Sequence, residues 1–349
     1  MAATKVKYGQ TEDNLVSNSM ARQAIINGNF DVWQRGTSVD TGYKYTADRW
    51  QAIRGGGAAG GTASRQTASL DGSKYSCRVQ RNSGTSETDY IRICQNLESV
   101  DSMKFQNKSV TLSFWAKKGA DFTDSVIGVG IRSGTGTDES FITGYTGSVS
   151  VAASTPTLTT SWQKFTLTGA VPSNSNELAV YFTYNDPSGT ASTNDWFEVT
   201  QVQLCAGDVA LPFMPKSFEE EYRTCMRYYE KGYAYATAPG TAVYSGSNGF
   251  NSALGNPLFY YNTAAAGTLR KWAWKNFVVP KRATPTIRYW DGAGTLSRFT
   301  LNNTDGTRTA DGANEQYQGA GASDEKQFYG QTAASTSGWT IYWDAASEL

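Results

Sequence analysis

The sequence predicts an all-β protein of two jelly-roll-like β-sandwich domains, joined by one helix and preceded by an extended N-terminal arm. Three observations lead to this fold class. Short apolar runs alternate residue by residue with polar side chains, as half-buried strands do. Turn-forming residues, including 35 Gly, fill the spaces between those runs. Only one segment has the spacing of an amphipathic helix. A chain of 349 residues has room for one large domain or two of average size.

The first segment, residues 1–24, is polar and aperiodic and cannot bury enough apolar surface to fold alone. It is either a disordered tail or an arm that orders against a partner. It also lacks the apolar core of a signal peptide, which indicates a protein that stays in the cytoplasm where it is made. The domain division that follows is an arm at 1–24, a first sandwich at 25–212, a linking helix at 213–232 and a second sandwich at 233–349.

The stretch "SVTLSFWAKKG" illustrates the strands of the first sandwich. Val110, Leu112 and Phe114 share one face, so Trp115 and Lys117 share the other. The apolar face is expected to lie in the core. The two remaining side chains are expected to point outward.

Two later stretches continue this pattern. In "ELAVYFTYN", Leu178, Val180 and Phe182 alternate with Tyr181, which predicts an outward tyrosine. In "DWFEVTQVQLCAG" the apolar phase changes midway, which predicts a β-bulge near Thr200. Half-buried strands at this spacing, with Gly, Ser and Asn turns, predict a two-sheet sandwich.

The linking helix is predicted from its start and stop signals. Ser217 and Glu220 have the spacing of a capping box, and Gly232 is a suitable stop. The apolar residues between them follow helical spacing and form one stripe. These residues are Phe218, Tyr222, Cys225, Met226 and Tyr229.

The second sandwich is predicted from strands that resume after the helix, among them "TLRKWAWKNFVV", "TPTIRYWDGAG" and "GWTIYWDA". Trp339, Ile341 and Trp343 share one face of their strand, and Trp272 and Trp274 share one face of theirs. We expect all five side chains to lie in the core of this domain.

Composition excludes several functions. The 31 basic and 31 acidic residues balance, and no basic stripe indicates nucleic acid. No apolar run is long enough to insert into a membrane. The chain has no histidine, which excludes Ser-His-Asp and Cys-His catalysis within it. A glycosidase needs only two carboxylates, so hydrolysis stays open on composition; we nevertheless expect no enzyme activity and name no catalytic residue.

The four cysteines are Cys77, Cys94, Cys205 and Cys225. They form no CxxC pair, and without histidine a mixed Cys/His zinc site is excluded. Reduced thiols packed as small apolar groups are expected. A disulfide between Cys77 and Cys94 is the alternative.

Outward aromatic residues are the candidate carbohydrate-binding site. Pyranose faces are apolar and their edges carry hydroxyls, so sugar binding needs an aromatic platform beside polar groups. Trp115, Tyr181, Trp162 and Lys117 are the residues predicted to form it. The alternative is that these aromatic rings pack under a loop or against a neighbouring chain.

Several stretches together carry a resemblance to a known family. "IINGNFDVWQRGTS" with "YTADRW", then "SVTLSFWAKKG", "SWQKFTLTGAVP" and "DWFEVTQVQLCAG", resemble the carbohydrate-binding-module-like jelly roll of bacteriophage tail fibres and related virion appendages. "FEEEYRTCMRYYEKG", "KRATPTIRYWDGAG" and "WDAASEL" resemble the C-terminal half of the same proteins. The resemblance covers roughly residues 24–349.

This resemblance implies a structural virion protein, a tail-fibre or spike subunit that attaches to host-surface polysaccharide. It implies an arm bound to other virion proteins, a homotrimer, and assembly in the host cytoplasm. The alternatives are an architectural capsid-decoration or tail-adaptor protein, or a polysaccharide depolymerase. Related sandwiches often hold calcium near the first strand, where Asp31 lies; the sequence has no compact oxygen cluster there, so no cofactor is predicted and calcium stays open.

Overall fold

The computed structural model describes residues 23–55, 60–243, 255–261, 271–302, 308–310, 319–322, 324–332 and 338–349. The predicted arm, residues 1–24, lies outside the described residues except for its last two positions. The described chain forms two compact units, and the division falls between Glu221 and Tyr222. The first unit contains the described residues up to Val32, Thr37–Glu221 and Leu349; the second contains Trp33–Gly36 and Tyr222–Glu348.

The first unit is a sandwich of two six-stranded antiparallel sheets, which confirms the predicted fold class. Strands are numbered in chain order. Sheet A contains, in spatial order, β1 (Ser38–Asp40), β4 (Gly61–Leu70), β5 (Ser73–Arg81), β12 (Trp196–Ala206), β7 (Ser109–Lys118) and β10 (Gln163–Ala170). Sheet B contains β2 (Lys44–Tyr45), β3 (Gln51–Arg54), β6 (Ile91–Asn96), β11 (Glu177–Tyr184), β8 (Gly128–Gly134) and β9 (Val149–Ser154). A short helix, α1 (Ser99–Ser102), and a 3-10 turn (Met103–Phe105) follow β6.

The core of this unit lies between the two sheets, as strand alternation predicts. The ring of Phe114 in sheet A lies 4.9 Å from that of Phe182 in sheet B, and Phe182 lies 6.2 Å from Trp50. The predicted bulge is confirmed, because the pairing of β12 with β7 shifts between Thr200 and Gln203. Apolar side chains on both sides of the bulge therefore reach the same core.

Asn27 holds the beginning of the sandwich together. Its side-chain amide donates to the carbonyls of Val32 at 2.9 Å and Asp48 at 3.0 Å, and its Oδ1 accepts from the Val32 N–H at 3.0 Å. The Trp50 indole N–H donates to the Asn27 carbonyl at 3.1 Å. The motifs "NGNFDV" and "ADRW" are thus joined by buried hydrogen bonds and have a structural role here.

The second unit is a smaller sandwich built around one long strand. Its larger sheet contains β13 (Tyr229–Lys231), β21 (Gly338–Ala346), β17 (Thr300–Asn302) and β18 (Arg308–Ala310), with β14 (Leu258–Tyr261) and β16 (Thr286–Trp290) also paired to β21. Its smaller sheet contains β15 (Lys271–Asn276), β20 (Gln327–Thr332) and β19 (Gly319–Ala322). Side chains from both sheets form one core, including Phe277, Phe328, Trp339 and Trp343.

The prediction for the tryptophans of this unit is confirmed in part. Trp339, Ile341 and Trp343 are buried in the core. Trp274 is 53% exposed, so its predicted burial is wrong. Its neighbour Ala273 packs on the core instead, and strand alternation turns Trp274 outward. The side chain of Trp272 lies outside the described residues.

The helix α2 (Phe218–Met226) has its predicted start but not its predicted length. The capping box is present: Ser217 N donates to Glu220 Oε2 at 3.0 Å, and Glu220 N donates to Ser217 Oγ at 3.3 Å. The helix ends at Met226, although the stripe predicts helix as far as Gly232. Residues of β13 pair with β21 instead, so sheet hydrogen bonds outweigh helix propensity there.

Trp33–Gly36, which the sequence assigns to the first sandwich, is part of the second unit. Gln34 Nε2 donates to the Tyr229 carbonyl at 3.0 Å, and Lys231 Nζ donates to the Gln34 carbonyl at 2.6 Å. Arg35 forms a 2.9 Å ion pair with Glu348 and lies 3.5 Å from the centre of the Tyr229 ring. This four-residue segment is therefore held through the side chain and carbonyl of Gln34 and through the side chain of Arg35.

All four cysteines are buried, and none of them forms a disulfide. The alternative of a disulfide between Cys77 and Cys94 is therefore wrong. Burial raises the pKa of both thiols, that of Cys94 to about 12. Within the described part of the chain, no helix combines the length and the hydropathy of a membrane span.

Candidate functional site

The four residues predicted to bind carbohydrate do not come together. Trp115, Lys117 and Trp162 are associated with sheet A, whereas Tyr181 lies in sheet B. Phe114 and Phe182, their inward neighbours, meet in the core. The outward side chains of the two sheets therefore point in opposite directions and cannot contact one sugar ring.

The residues on sheet A are engaged within the protein. Lys117 Nζ lies 3.5 Å from Oε2 of the buried Glu198 and 4.8 Å from the centre of the Trp162 ring. The Trp162 indole N–H donates to the Ala68 carbonyl at 2.7 Å. Trp115 is half-buried beside them. These contacts make Lys117 and Trp162 parts of an internal network around Glu198.

Tyr181 lines an open groove of about 360 Å³ on the outer face of sheet B, here named the Tyr181 groove. Strands β6, β8, β9 and β11 contribute its walls and floor. Its lining residues are Arg92, Gly128, Val129, Ala153, Ser154, Thr155, Tyr181 and Asn185.

Two glycines of β8 lie against side chains that line this groove. Gly130 is paired with Tyr181 across β8 and β11, and a Cβ at Gly130 would collide with the Tyr181 ring. A Cβ at Gly128 would come within 2.6 Å of Asn185 Nδ2. Without side chains at these two positions, the tyrosine and the asparagine lie against the sheet.

A loop covers the adjacent part of the same sheet face. Phe141 in this loop stacks on Tyr181, with ring centres 5.3 Å apart and an interplanar angle of 21°. The loop is anchored at Asn96, whose Oδ1 accepts from the Phe141 N–H at 2.9 Å and the Tyr145 hydroxyl at 3.0 Å. Phe141 therefore fixes the orientation of the Tyr181 ring.

One carboxyl group attaches the loop to β11, and a second joins two positions of the loop. The Glu139 N–H donates to Glu177 Oε1, and the Thr146 N–H donates to Glu139 Oε2 at 2.6 Å. Burial raises the pKa of Glu177, and the nearby Glu139 carboxylate adds to this rise. Hydrogen bonds from the backbone and side chain of Thr146 lower the pKa of Glu139. The pKa values of the two carboxyl groups are thus shifted in opposite directions from their ordinary values.

Arg92 supplies the positive charge of the groove. Its Nε donates to Thr183 Oγ1 at 2.9 Å. Its guanidinium carbon lies 4.9 Å from the ring centre of Tyr181, 5.0 Å from Tyr90 and 5.2 Å from Phe141. One hydrogen bond and three aromatic rings therefore hold the guanidinium in place.

The lining combines apolar and polar groups. A half-buried phenol ring offers apolar surface, and Asn185, Ser154, Thr155 and Arg92 offer hydrogen-bonding groups beside it. The eight residues that form the groove include no Asp, Glu or Cys. The groove itself therefore supplies no carboxylate pair for glycoside hydrolysis.

Sequence reasoning identified Tyr181 but missed the rest of this groove. In "SVIGVGIRSG", Gly128 and Gly130 alternate with buried Val129 and Ile131, a pattern that indicates a bare strip on the outer face. Arg92 likewise stands between two buried isoleucines in "IRIC". Phe141 comes from a loop, and no periodic signal indicates where a loop side chain packs.

Asp31, near which a calcium ion stayed open on the sequence, interacts with neighbouring side chains. Its carboxylate accepts from the Asn29 amide at 3.2 Å, and the positive charges of Lys74 and Arg65 act on it. Burial raises the pKa of Asp31 above its ordinary value. No cluster of three or more His, Cys, Asp or Glu side chains suited to a metal occurs among the residues that the structure describes.

No family model matches the chain, and no curated protein matches it. Solved structures do resemble it. The enzymatically active domain of bacteriophage CBA120 tailspike protein 4 is 12% identical, with a TM-score of 0.35 over 53% of this chain and 21% of that one. The CBM22-1 xylan-binding domain of Paenibacillus barcinonensis Xyn10C is 15% identical, with a TM-score of 0.32 over 50% of this chain and 99% of that one. A cyclase from Fischerella is 13% identical, with a TM-score of 0.36 over 54% and 97%.

The chain thus spans about a fifth of the tailspike domain. All three TM-scores are below 0.5, so these likenesses carry no argument about the groove.

Proposed function

We propose that the first unit binds carbohydrate in the Tyr181 groove. The observation that carries this proposal is the Tyr181 ring itself, which lines the groove half-buried, lies against Gly130 and is held by Phe141. Pyranose rings stack on such faces, while their hydroxyls bond to polar groups at the edge. Asn185, Ser154 and Thr155 are placed to make those bonds.

The same proposal gives the chain a place in a bacteriophage particle. It is a tail-fibre or spike subunit that attaches to host-surface glycans and acts by adhesion without catalysis. The order of motifs along the sequence supports this role. In this proposal residues 1–24 bind other virion proteins, three copies form the appendage, and the protein is assembled into the virion in the host cytoplasm.

The test compares two outward aromatic residues on opposite sheets, Tyr181→Ala and Trp115→Ala. Binding of purified host polysaccharide is measured on each variant, with melting temperature as a check on folding. Tyr181→Ala should weaken binding by about 2 kcal/mol or more, roughly 30-fold, because a central aromatic contact is lost. Trp115→Ala should leave binding unchanged, because its side chain lies on the opposite sheet.

The reverse result, loss of binding in Trp115→Ala alone, would show that the binding site lies on sheet A. Failure of the intact protein to bind any host glycan would favour the architectural alternative. Release of reducing ends from the polysaccharide would favour a depolymerase.

A further inference from the structure

Arg92 has no carboxylate partner, unlike three other strand arginines of the first unit. Arg54, Arg78 and Arg81 each have a carboxylate oxygen within 4 Å, at 3.6, 2.7 and 2.9 Å. Within the described part of the chain, Arg92 forms no ion pair, and its one hydrogen bond to a side chain uses Nε. Its two terminal nitrogens therefore have no protein acceptor, although the residue is half-buried and lines the groove.

We infer that the Tyr181 groove selects acidic glycans, with Arg92 binding the carboxylate of a uronic-acid-type sugar. This inference rests on the proposed function of the groove. A guanidinium offers two parallel N–H donors that match the two oxygens of a carboxylate. No lining residue is acidic, so nothing inside the groove competes for these donors.

The placement of Arg92 suits a sugar already stacked on Tyr181. The carboxyl group of a uronic acid is attached directly to the pyranose ring and lies at its edge. A ring seated on Tyr181 brings that edge toward a guanidinium whose carbon is 4.9 Å from the tyrosine ring centre. Neutral sugars would stack equally well but would leave the two N–H groups to water.

The surroundings of Arg92 also reduce the cost of binding. The bond to Thr183 and the three aromatic rings orient the guanidinium before any ligand arrives. Little side-chain entropy is then lost when a carboxylate binds. Partial burial among rings weakens competition from water, which strengthens a charged hydrogen bond.

The experiment uses a glycan array in which acidic oligosaccharides of galacturonic, glucuronic, mannuronic and sialic acid are printed beside their methyl esters. Esterification removes the charge and leaves the ring unchanged. The full-length protein should bind at least one acid roughly 10- to 100-fold more tightly than its ester, the range expected for a charged hydrogen-bonded pair. Raising the salt concentration should reduce this difference.

Three variants separate the inference from the proposed function. Arg92→Gln should abolish the preference for the acid and retain binding of the ester. Arg92→Lys should keep part of the preference, because it retains the charge but loses the planar pair of donors. Tyr181→Ala should weaken binding of acid and ester alike. Melting temperatures identify any variant that fails to fold.

Equal binding of acid and ester by the intact protein would overturn the inference while leaving glycan binding by the groove intact. A preference for the acid that survives in folded Arg92→Gln would also overturn it. Binding of neither form, or binding that Tyr181→Ala does not weaken, would overturn the proposed function as well.

Discussion

Asp195 is the central charge of a buried network in the first unit. Its Oδ2 accepts from Arg81 Nη1 at 2.9 Å, and its Oδ1 accepts from the Tyr184 hydroxyl at 2.5 Å. Arg81 also donates to the carbonyls of Glu87 at 2.7 Å and Gly189 at 2.8 Å. Additional hydrogen bonds of this kind help to offset the cost of burying an ion pair.

Asp195→Asn should destabilise the protein by about 3–5 kcal/mol, because it leaves the Arg81 charge buried without a counter-charge. Urea denaturation followed by tryptophan fluorescence measures this change. The matched control is Asp40→Asn, which removes an exposed ion pair with Lys44 and should have little effect. Equal effects of the two substitutions would contradict the assignment of Asp195 as a buried anchor.

Alternation along the strands predicts that Trp115 and Tyr181 leave the core, and the structure agrees. The contacts that each of the two rings makes outside the core could not be predicted from the sequence. The sequence places neither residue on a particular sheet, because strand order depends on pairings between distant segments. The contacts of Lys117 with Glu198 and of Phe141 with Tyr181 likewise join residues far apart in the chain.

At the scale of elements, the loop that carries Phe141 matters most for the groove. It follows β8 and returns across the outer face of sheet B, where Asn96 and Glu177 hold it. The loop therefore links the orientation of Tyr181 to the ionisation of two carboxyl groups. Stability at this loop should depend on pH through both of them.

The ionisation of Glu177 should lower the stability of the folded protein, and that of Glu139 should raise it. The folded-state pKa of Glu177 is raised, so its contribution to stability is complete below the unfolded pKa of about 4.3 and is lost as pH rises through the folded pKa. The folded-state pKa of Glu139 is lowered, so its contribution is present above the unfolded pKa and is lost as pH falls through the folded one.

Glu177→Gln should therefore be more stable than the natural chain at pH 7, and Glu139→Gln less stable. The Glu177 difference should shrink as pH falls through its raised folded pKa and should be gone below the unfolded pKa of about 4.3. The Glu139 difference should begin to shrink only near that unfolded pKa and should vanish below its lowered folded pKa. Melting temperatures measured from pH 3 to pH 8 test this pair. Curves that run parallel to that of the natural chain at every pH would show that the loop does not depend on these charges.

The strands were predictable as elements because their signals are local. The change in apolar alternation near Thr200 predicted the bulge, and the capping-box spacing of Ser217 and Glu220 predicted the start of α2. The end of α2 was not predictable, because residues Tyr229–Lys231 continue the helical stripe in sequence. Their pairing with β21 joins them to residues more than a hundred positions later.

At the scale of the whole molecule, the chain divides into units that are not two uninterrupted stretches of sequence. Trp33–Gly36 belongs with Tyr222–Glu348, although residues on both sides of it belong to the first unit. Composition and periodicity carry no signal for such a segment, because four residues are too few to show a period. The partners of Gln34 and Arg35 reveal it.

Arg35→Ala should loosen the second unit, because it removes the ion pair with Glu348 and the contact with the Tyr229 ring. Hydrogen exchange read by mass spectrometry should accelerate in peptides that contain β13 and β21. Peptides that contain β11 serve as an internal control and should exchange at the original rate. Faster exchange throughout the chain would show instead that Arg35 supports the whole protein.

The distribution of the second unit along the chain has a consequence for synthesis and for exchange between genes. Gln34 and Tyr229 are 195 positions apart, and Arg35 and Glu348 are 313 apart. During synthesis, Trp33–Gly36 leaves the ribosome early, and its partners in the second unit are made only after the intervening sandwich. A recombination event that replaced only the sequence after residue 222 would separate the imported unit from its own early segment. A recombinant gene would therefore encode a complete second unit only if both segments came from the same parent, or if the two parents had the same residues at Trp33–Gly36.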